Sequence, residues 1–588
     1  MTKDRNKLDS KFKNFWLKKS KIIDWQKPPK VAVIKKLNNY TWYNDGLLNI
    51  YENCITKHII LKLGSKVAIT TIDNEKNITN YTYEQIDEKV NLFINFLYNN
   101  YNFNKKKKLK MMIHSSASLE SAITMLACSK LGIHFSVIFE ELEEKAIISR
   151  INLFHPHIFF TRVDKKKFIK KFKNKFFLKS NNILFYEDFK KNKKIKNINI
   201  KNKLFKSNND FFTLFTSGST GIPKGVTHST GGYMVYAKYS CKKQFGMNQN
   251  SIVLTASDAG WINGHTYSLF GPLSFGATTI LLESPLLILD KNLLKKILFL
   301  KVDILYLPVT IIRMMKSLFK NSKLIKNTIK VVGSMGEPLA PSIGAWYVNF
   351  FGKKNNSIVN TYFQTETAGI ICSPRFDKNN KLNPHGSVGN PLSKFIKINQ
   401  LDELNAKEIK ITTPWPGCMK NILNGKKEWN KYWDSKGNFR LFDLATKKKN
   451  NIYIHGRVDD VMNIRGHRIG SEEIESIVLR VKNISECCAV AIEDKLEGSK
   501  LNLFVISSKK LSAKIEGEIF LNFGSFAIPK NIYYLKELPK TRSGKILRRL
   551  LRSILIDPKQ KFHGDITTML NPKAINDIKK CILKNDQD

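Results

Sequence analysis

Two hydrophobic periods share this chain. From about residue 65, short apolar runs such as KVAIT and KMMIH have the length and character of strands. Between such runs lie segments of helical period, Ser118–Leu131 among them. Strand and helix patterns in alternation predict an α/β fold with layered, mostly parallel sheet. The alternation resumes at Asp210, runs to about residue 400 and passes into strand-like pieces such as EIKITTP. Residues 1–60, containing IDWQKPPK and WYNDGLLN, read as an irregular arm with helical pieces. Residues 165–203 are dominated by lysine and asparagine and read as a solvated surface insertion. Near residues 456–470 the string GRVDDVMNIRGHRIG interrupts the pattern, and a compact α/β pattern follows it. That string is the candidate domain junction. No internal repeat is apparent.

Composition adjusts this picture little. At 588 residues the chain exceeds one compact core, and 42% hydrophobic residues are enough for packed interiors, so two to four domains are expected. The net charge of +49 raises nucleic acid as a partner. The lysines are spread along the whole chain, however, with no zinc-finger, RNP-like or basic-zipper pattern, so no nucleic acid is expected. The eight cysteines form no CxxC and have no histidines at ligand spacing, which argues against a zinc site or a disulfide framework. Reduced thiols, no run of 18 apolar residues and a basic first segment without an apolar h-region together lead to an expected cytoplasmic location without a membrane span.

The chemistry concentrates in TSGSTGIPKG, Thr216–Gly225, which follows the apolar run Phe211–Phe215. Small hydroxylated residues and glycines let backbone N–H groups approach an anion closely, and Lys224 adds a cation. This is not a Walker A loop, because Pro223 precedes the lysine and Gly225 follows it.

The loop and the VTHSTGGYMVYA after it resemble the phosphate loop of the adenylate-forming superfamily of acyl-CoA synthetases, luciferases and peptide-synthetase adenylation domains. HSTGGY is similar to acetyl-CoA synthetases in particular. The resemblance continues through SDAGWINGHTYSLFGPLSFGATT, GSMGEPLAP, NTYFQTETAG, GRVDDVMNIRGHRIGSEEIES and LPKTRSGKILRRLLR, over roughly residues 14 to 580. It implies a large N-terminal adenylate-forming domain of layered sheets and helices, residues 1–458, and a small mobile C-terminal α+β domain, residues 459–588, hinged at Asp459. The implied reaction activates acetate or a similar short acid with ATP, through an acyl-adenylate, and transfers it to coenzyme A.

The resemblance also implies roles for single residues. Thr216, Ser217, Gly218, Thr220 and Lys224 would hold the β- and γ-phosphates, and Glu366 would bring Mg²⁺ to them, a task suited to one carboxylate assisted by phosphate and water. Gly336, Glu337, Pro338, Asn360, Thr361, Gln364 and Thr365 would surround adenine and the α-phosphate. Asp443 would take both ribose hydroxyls, Arg457 would touch the ribose and Arg468 the phosphates. Lys545 would enter from the C-terminal domain to steady the charge between carboxylate and α-phosphate. Being catalytic and on an exposed loop, it is also a candidate for a lysine acetyltransferase and deacetylase, since acetylation removes its charge.

The sequence departs from the acetyl-CoA synthetase pattern in two places. The acyl-pocket positions, typically Val, Thr, Val and Trp, are Ile262, Asn263, Met335 and Phe363. Acetate leads as substrate, with propionate or a small polar acid as alternatives. On the CoA side, Glu140 and Glu141 replace a glycine pair, Arg465 precedes Gly466 where a small residue is usual, Phe520 replaces an arginine, and Arg150 matches another. Carboxylates facing CoA phosphates would repel by ~4 kcal/mol per charge pair at 4 Å and an effective dielectric of 20. An acceptor other than CoA, such as a carrier thiol or a protein amine, therefore stands beside CoA, and a non-catalytic nucleotide-binding relative is the reading from another class.

Overall fold

The computed structural model describes residues 9–36, 39–101, 108–142, 144–172, 182–191, 202–216, 223–319, 327–354, 357–374, 383–458, 461–464, 467–494, 498–541, 546–560 and 569–585. Two seven-stranded sheets dominate it. In the first, strands Ile183–Phe185, Ile158–Thr161, Lys110–His114, His134–Ile138 and Asp210–Thr216 run parallel, and Lys224–Ser229 and Asn421–Ile422 complete the edge antiparallel. In the second, Ile358–Asn360, Val331–Met335, Ile304–Pro308, Ile252–Thr255, Thr278–Leu282 and Val67–Ile72 are parallel, and Ile78–Thr82 is antiparallel at the edge. KVAIT and KMMIH lie in strands of these sheets, and the Ser118–Leu131 periodicity is the helix Leu119–Leu131. Ser118 caps that helix reciprocally with Ser121.

The helix Thr230–Phe245 is buried along nearly its whole length because it lies between the sheets. Tyr233 packs edge-on against Phe212 of the first sheet at 4.8 Å, and Phe245 meets Tyr306 of the second at 5.0 Å. A sheet, a helix layer and a second sheet account for the parallel α/β pattern. A third, antiparallel sheet of Lys407–Ile411, Phe439–Lys448 and Asn451–Arg457 shares the main apolar core.

Beyond residue 460 come the hairpin Val461–Ile464 with His467–Gly470 and a three-stranded sheet of Ile484–Asp494, Gly498–Ser507 and Asn531–Tyr534. Their buried apolar residues, from Met462 to Ile582, form clusters that share no member with those of residues 12–452. Among the described residues, His455 and Glu473 link the two parts at 3.2 Å.

One expectation needs correction. Part of the 165–203 stretch is structural: Lys165–Phe172 is a helix, Ile183–Phe185 is the edge strand of the first sheet, and Phe168, Phe172 and Phe185 are buried. Aromatic residues at matching intervals form an apolar side that the many lysines disguise. The N-terminal arm has the expected helical pieces, and they pack into the main core. Helix Ser10–Ser20 buries Phe12 and Trp16, and Trp16 packs on Trp42 at 5.9 Å and Tyr239 at 5.6 Å.

Candidate functional site

Strand ends converge on one region. Strand Asp210–Thr216 delivers Thr216 to its C-terminal end, and the antiparallel strand Lys224–Ser229 begins with Lys224 directly opposite. Ser217, Gly218 and Thr220 lie outside the described residues, as do Asp459, Arg465, Gly466 and Lys545. Lys224 Nζ meets Glu428 at 3.1 Å and stands 5.6 Å from the ring centre of Tyr432. The Tyr432 hydroxyl donates to Glu366 Oε1 at 2.8 Å. One tyrosine thus joins the loop lysine to the carboxylate of the QTET turn. Hydrogen bonds from Lys431 and Lys224 hold the Glu428 carboxyl below the usual range.

The QTET turn is fixed from below. His228 is fully buried, and its Nε2 lies 2.7 Å from the carbonyl of Thr365. A carbonyl only accepts, so Nε2 carries the proton. Burial pushes this imidazole down to about 4, which keeps it neutral near pH 7. Ala368 ends the turn in the left-handed region at φ 60°.

Asp443 is the best-defined group. Its Oδ2 accepts from the Tyr362 hydroxyl at 2.6 Å and from Gln364 Nε2 at 2.6 Å, and its Oδ1 lies 3.4 Å from Arg457 Nη1. The carboxylate is 8% exposed. Phe442 beside it is held at φ 56°, where the register with strand Lys407–Ile411 shifts, a strained conformation of the kind that gathers at functional sites.

Gly336 has φ 89° and opens the turn after strand Val331–Met335, a conformation that glycine tolerates without penalty. Glu337 is paired with Arg313, and Pro338 continues that turn. Asn360 and Thr361 spend their side chains internally. Asn360 accepts from Ser334 Oγ and donates to the Ser387 carbonyl, while Thr361 Oγ1 bonds the Ser334 carbonyl and the Tyr306 hydroxyl. Arg468 lies on the hairpin strand His467–Gly470, in register with Asn463.

The four acyl-pocket candidates gather beside this region. Ile262 and Asn263 open the short helix Ile262–His265, Met335 ends its strand, and Phe363 precedes Gln364. Asn263 Nδ2 donates to Met335 Sδ, and Phe363 packs edge-on against Tyr267 at 6.1 Å. On the CoA side, Glu140 accepts from Ser116 N at 3.2 Å and from Arg162 Nε at 3.0 Å. Arg162 also faces Glu283 and Glu120, so one guanidinium serves three carboxylates. Glu141 and Phe520 are exposed. Arg150 is 4% exposed, with Nη1 on the Ala146 carbonyl and the guanidinium 5.7 Å from the Phe215 ring, so it lies inside the domain.

Sequence reasoning missed Glu428 and Tyr432, because GKKEWNKYWD reads as an ordinary polar surface helix. It also passed over Tyr362 and His228, although both stand inside the quoted strings NTYFQTETAG and VTHSTGGYMVYA.

Sequence models of known families match three stretches of the chain: the AMP-binding enzyme model at residues 61–417, the AMP-binding enzyme C-terminal domain model at 473–545, and the acetyl-coenzyme A synthetase N-terminus model at 3–54. The chain is similar to an acetyl-coenzyme A synthetase of Psychromonas ingrahamii, at 31% identity over 96% of this chain and 93% of that one. It is also similar to one of Vibrio cholerae, again at 31% identity over 96% and 93% of the two chains. Among solved structures, the fold matches an acetoacetyl-CoA synthetase from Streptomyces lividans with a TM-score of 0.82, at 15% identity over 98% of this chain and 93% of that one. An anthranilate CoA ligase solved with anthranoyl-AMP matches with a TM-score of 0.73, at 16% identity over 86% and 97%.

Proposed function

Because the chain belongs to the AMP-binding enzyme family, and within it to the acetyl-coenzyme A synthetases, we propose that it joins a short carboxylic acid, acetate in the first instance, to coenzyme A at the expense of ATP. A carboxylate oxygen attacks the α-phosphorus, the bond to the β-phosphate breaks, and pyrophosphate leaves. The CoA thiolate then attacks the acyl carbon and AMP leaves, so the two steps yield the thioester, AMP and pyrophosphate.

The observation that carries this reading is the buried Asp443 carboxylate, held by Tyr362, Gln364 and Arg457 beside the QTET turn. Two fixed acceptor oxygens suit a pair of ribose hydroxyls. Thr216, Ser217, Gly218, Thr220 and Lys224 would receive the outer phosphates, with Gly336, Glu337, Pro338, Asn360, Thr361, Gln364 and Thr365 around adenine and the α-phosphate and Arg468 on the phosphates. Mg²⁺ is the fitting metal. Glu366 offers a hard carboxylate within reach of the loop lysine through Tyr432, which suits an ion held also by phosphate and water. Bound there, the ion would neutralise charge developing on the phosphates.

Lys545 is proposed as the cation delivered from the C-terminal domain, residues 459–588, about the hinge Asp459. Acetylation would then switch off the first step. A cytoplasmic location fits eight free cysteines, seven of them buried, and among the described residues no helix is long and apolar enough to cross a membrane.

The direct test incubates the chain with ATP, Mg²⁺, acetate and CoA. Equimolar AMP and acetyl-CoA are expected, whereas ADP as the product, or no acid-dependent turnover with any short acid, would overturn the proposal. The three carboxylates that share Arg162 keep a second reading open, transfer to an acceptor other than CoA, and AMP formation without thioester would favour it.

A further inference from the structure

Asn263, proposed above as an acyl-pocket residue, carries a buried polar atom that no described residue satisfies. Asn263 is 9% exposed, and its Oδ1 is buried without a hydrogen-bond partner among the described residues. Its Nδ2 is spent on the Met335 thioether, a weak acceptor. Turning the amide by 180° exchanges the two atoms but still leaves one polar end on sulfur and the other on nothing. A buried amide in this state is costly unless a ligand completes it.

The position says which ligand. Met335 runs directly into the Gly336 turn and Phe363 directly into Gln364, so the amide sits among the strand ends that carry the nucleotide residues. Ile262 and Met335 are buried apolar neighbours in sequence or contact, and the Phe363 ring packs on Tyr267, so bulky apolar side chains accompany the amide and would suit a short chain. A substituent that meets the amide in either orientation must both donate and accept, and a hydroxyl does both.

We propose that Asn263 selects a hydroxy acid of two or three carbons, such as glycolate, lactate or 3-hydroxypropionate, over the acid of the same length without the hydroxyl. This rests on the reading of the site as an acid-activating one. A pocket that discriminates only by a methylene reaches roughly 10–200-fold, whereas one that hydrogen-bonds a substrate hydroxyl rejects the analogue lacking it more strongly.

The test uses the full chain and pyrophosphate exchange into ATP, with glycolate against acetate, and lactate and 3-hydroxypropionate against propionate. At least one hydroxy acid should exceed its unsubstituted partner by about tenfold or more in kcat/KM. In Asn263→Val that ratio should collapse towards one, which a purely structural asparagine would not produce. If the valine variant fails to fold, the wild-type ratios decide alone. Wild-type ratios at or below one for all pairs, or a ratio unchanged in Asn263→Val, would overturn the selectivity while leaving acid activation standing. No exchange with any acid would overturn both.

Discussion

Tyr362→Phe is the substitution that probes the proposed ribose acceptor most cleanly, because it removes one oxygen and leaves the ring. Tyr362 is 7% exposed and donates to Asp443 Oδ2 at 2.6 Å. A hydrogen bond to a charged group contributes about 1.5–3 kcal/mol. Gln364 Nε2 at 2.6 Å and Arg457 at 3.4 Å remain on the carboxylate, which places the loss near the lower end of that range. Expressed in nucleotide binding, ~1.4 kcal/mol is tenfold, so the KM for ATP should rise by about an order of magnitude. The assay is acid-dependent pyrophosphate exchange at varied ATP, on Tyr362→Phe, Asp443→Asn and the double variant. If Tyr362 acts by holding Asp443, the double variant should be little worse than Asp443→Asn alone. A change below twofold in Tyr362→Phe, or effects that simply add, would refute the reasoning.

Other outcomes follow from the same geometry. Burial pushes His134 and His228 down to about 4 and His265 to about 3, below the ~6.5 of an unfolded chain. The unfolded state therefore binds protons first as pH falls, and each of these histidines should cost about 2 kcal/mol of stability by pH 5, a loss that levels off below about pH 4 for His134 and His228 and below about pH 3 for His265. Denaturant midpoints between pH 7 and 5 should fall, and a flat or rising profile would contradict the assignment. Arg162→Leu should destabilise by about 2–3 kcal/mol, short of the ~3–5 of a fully buried pair because its side chain keeps 22% exposure, and thermal unfolding should register the shift. Lys545→Ala should abolish exchange yet leave thioester formation from supplied acyl-adenylate largely intact, and equal loss of both steps would refute the delivered-lysine role.

The site was legible where chemistry is written in contiguous strings. Thr216, Lys224 and the QTET turn stand in short contiguous motifs, with Thr216 at the end of a strand and QTET in a tight turn. Tyr432 and Glu428 were not legible because their meaning is tertiary. Tyr432 reaches Glu366 across 66 residues of sequence, and its own segment carries only an amphipathic surface pattern. Composition misled at residues 165–191, where lysines outnumber the few phenylalanines that decide burial. The orphaned Asn263 shows a third kind of gap. Its residue type marks a departure, but only the coordinates show that its oxygen lacks a partner.

In the proposed reaction an acyl-adenylate forms at this site before CoA takes part. Exchange of labelled pyrophosphate into ATP, run with Mg²⁺ and a panel of short acids in the absence of CoA, tests it most directly. Exchange that depends on the acid and proceeds without CoA is expected. Exchange that requires CoA, or none with any short acid, would contradict it.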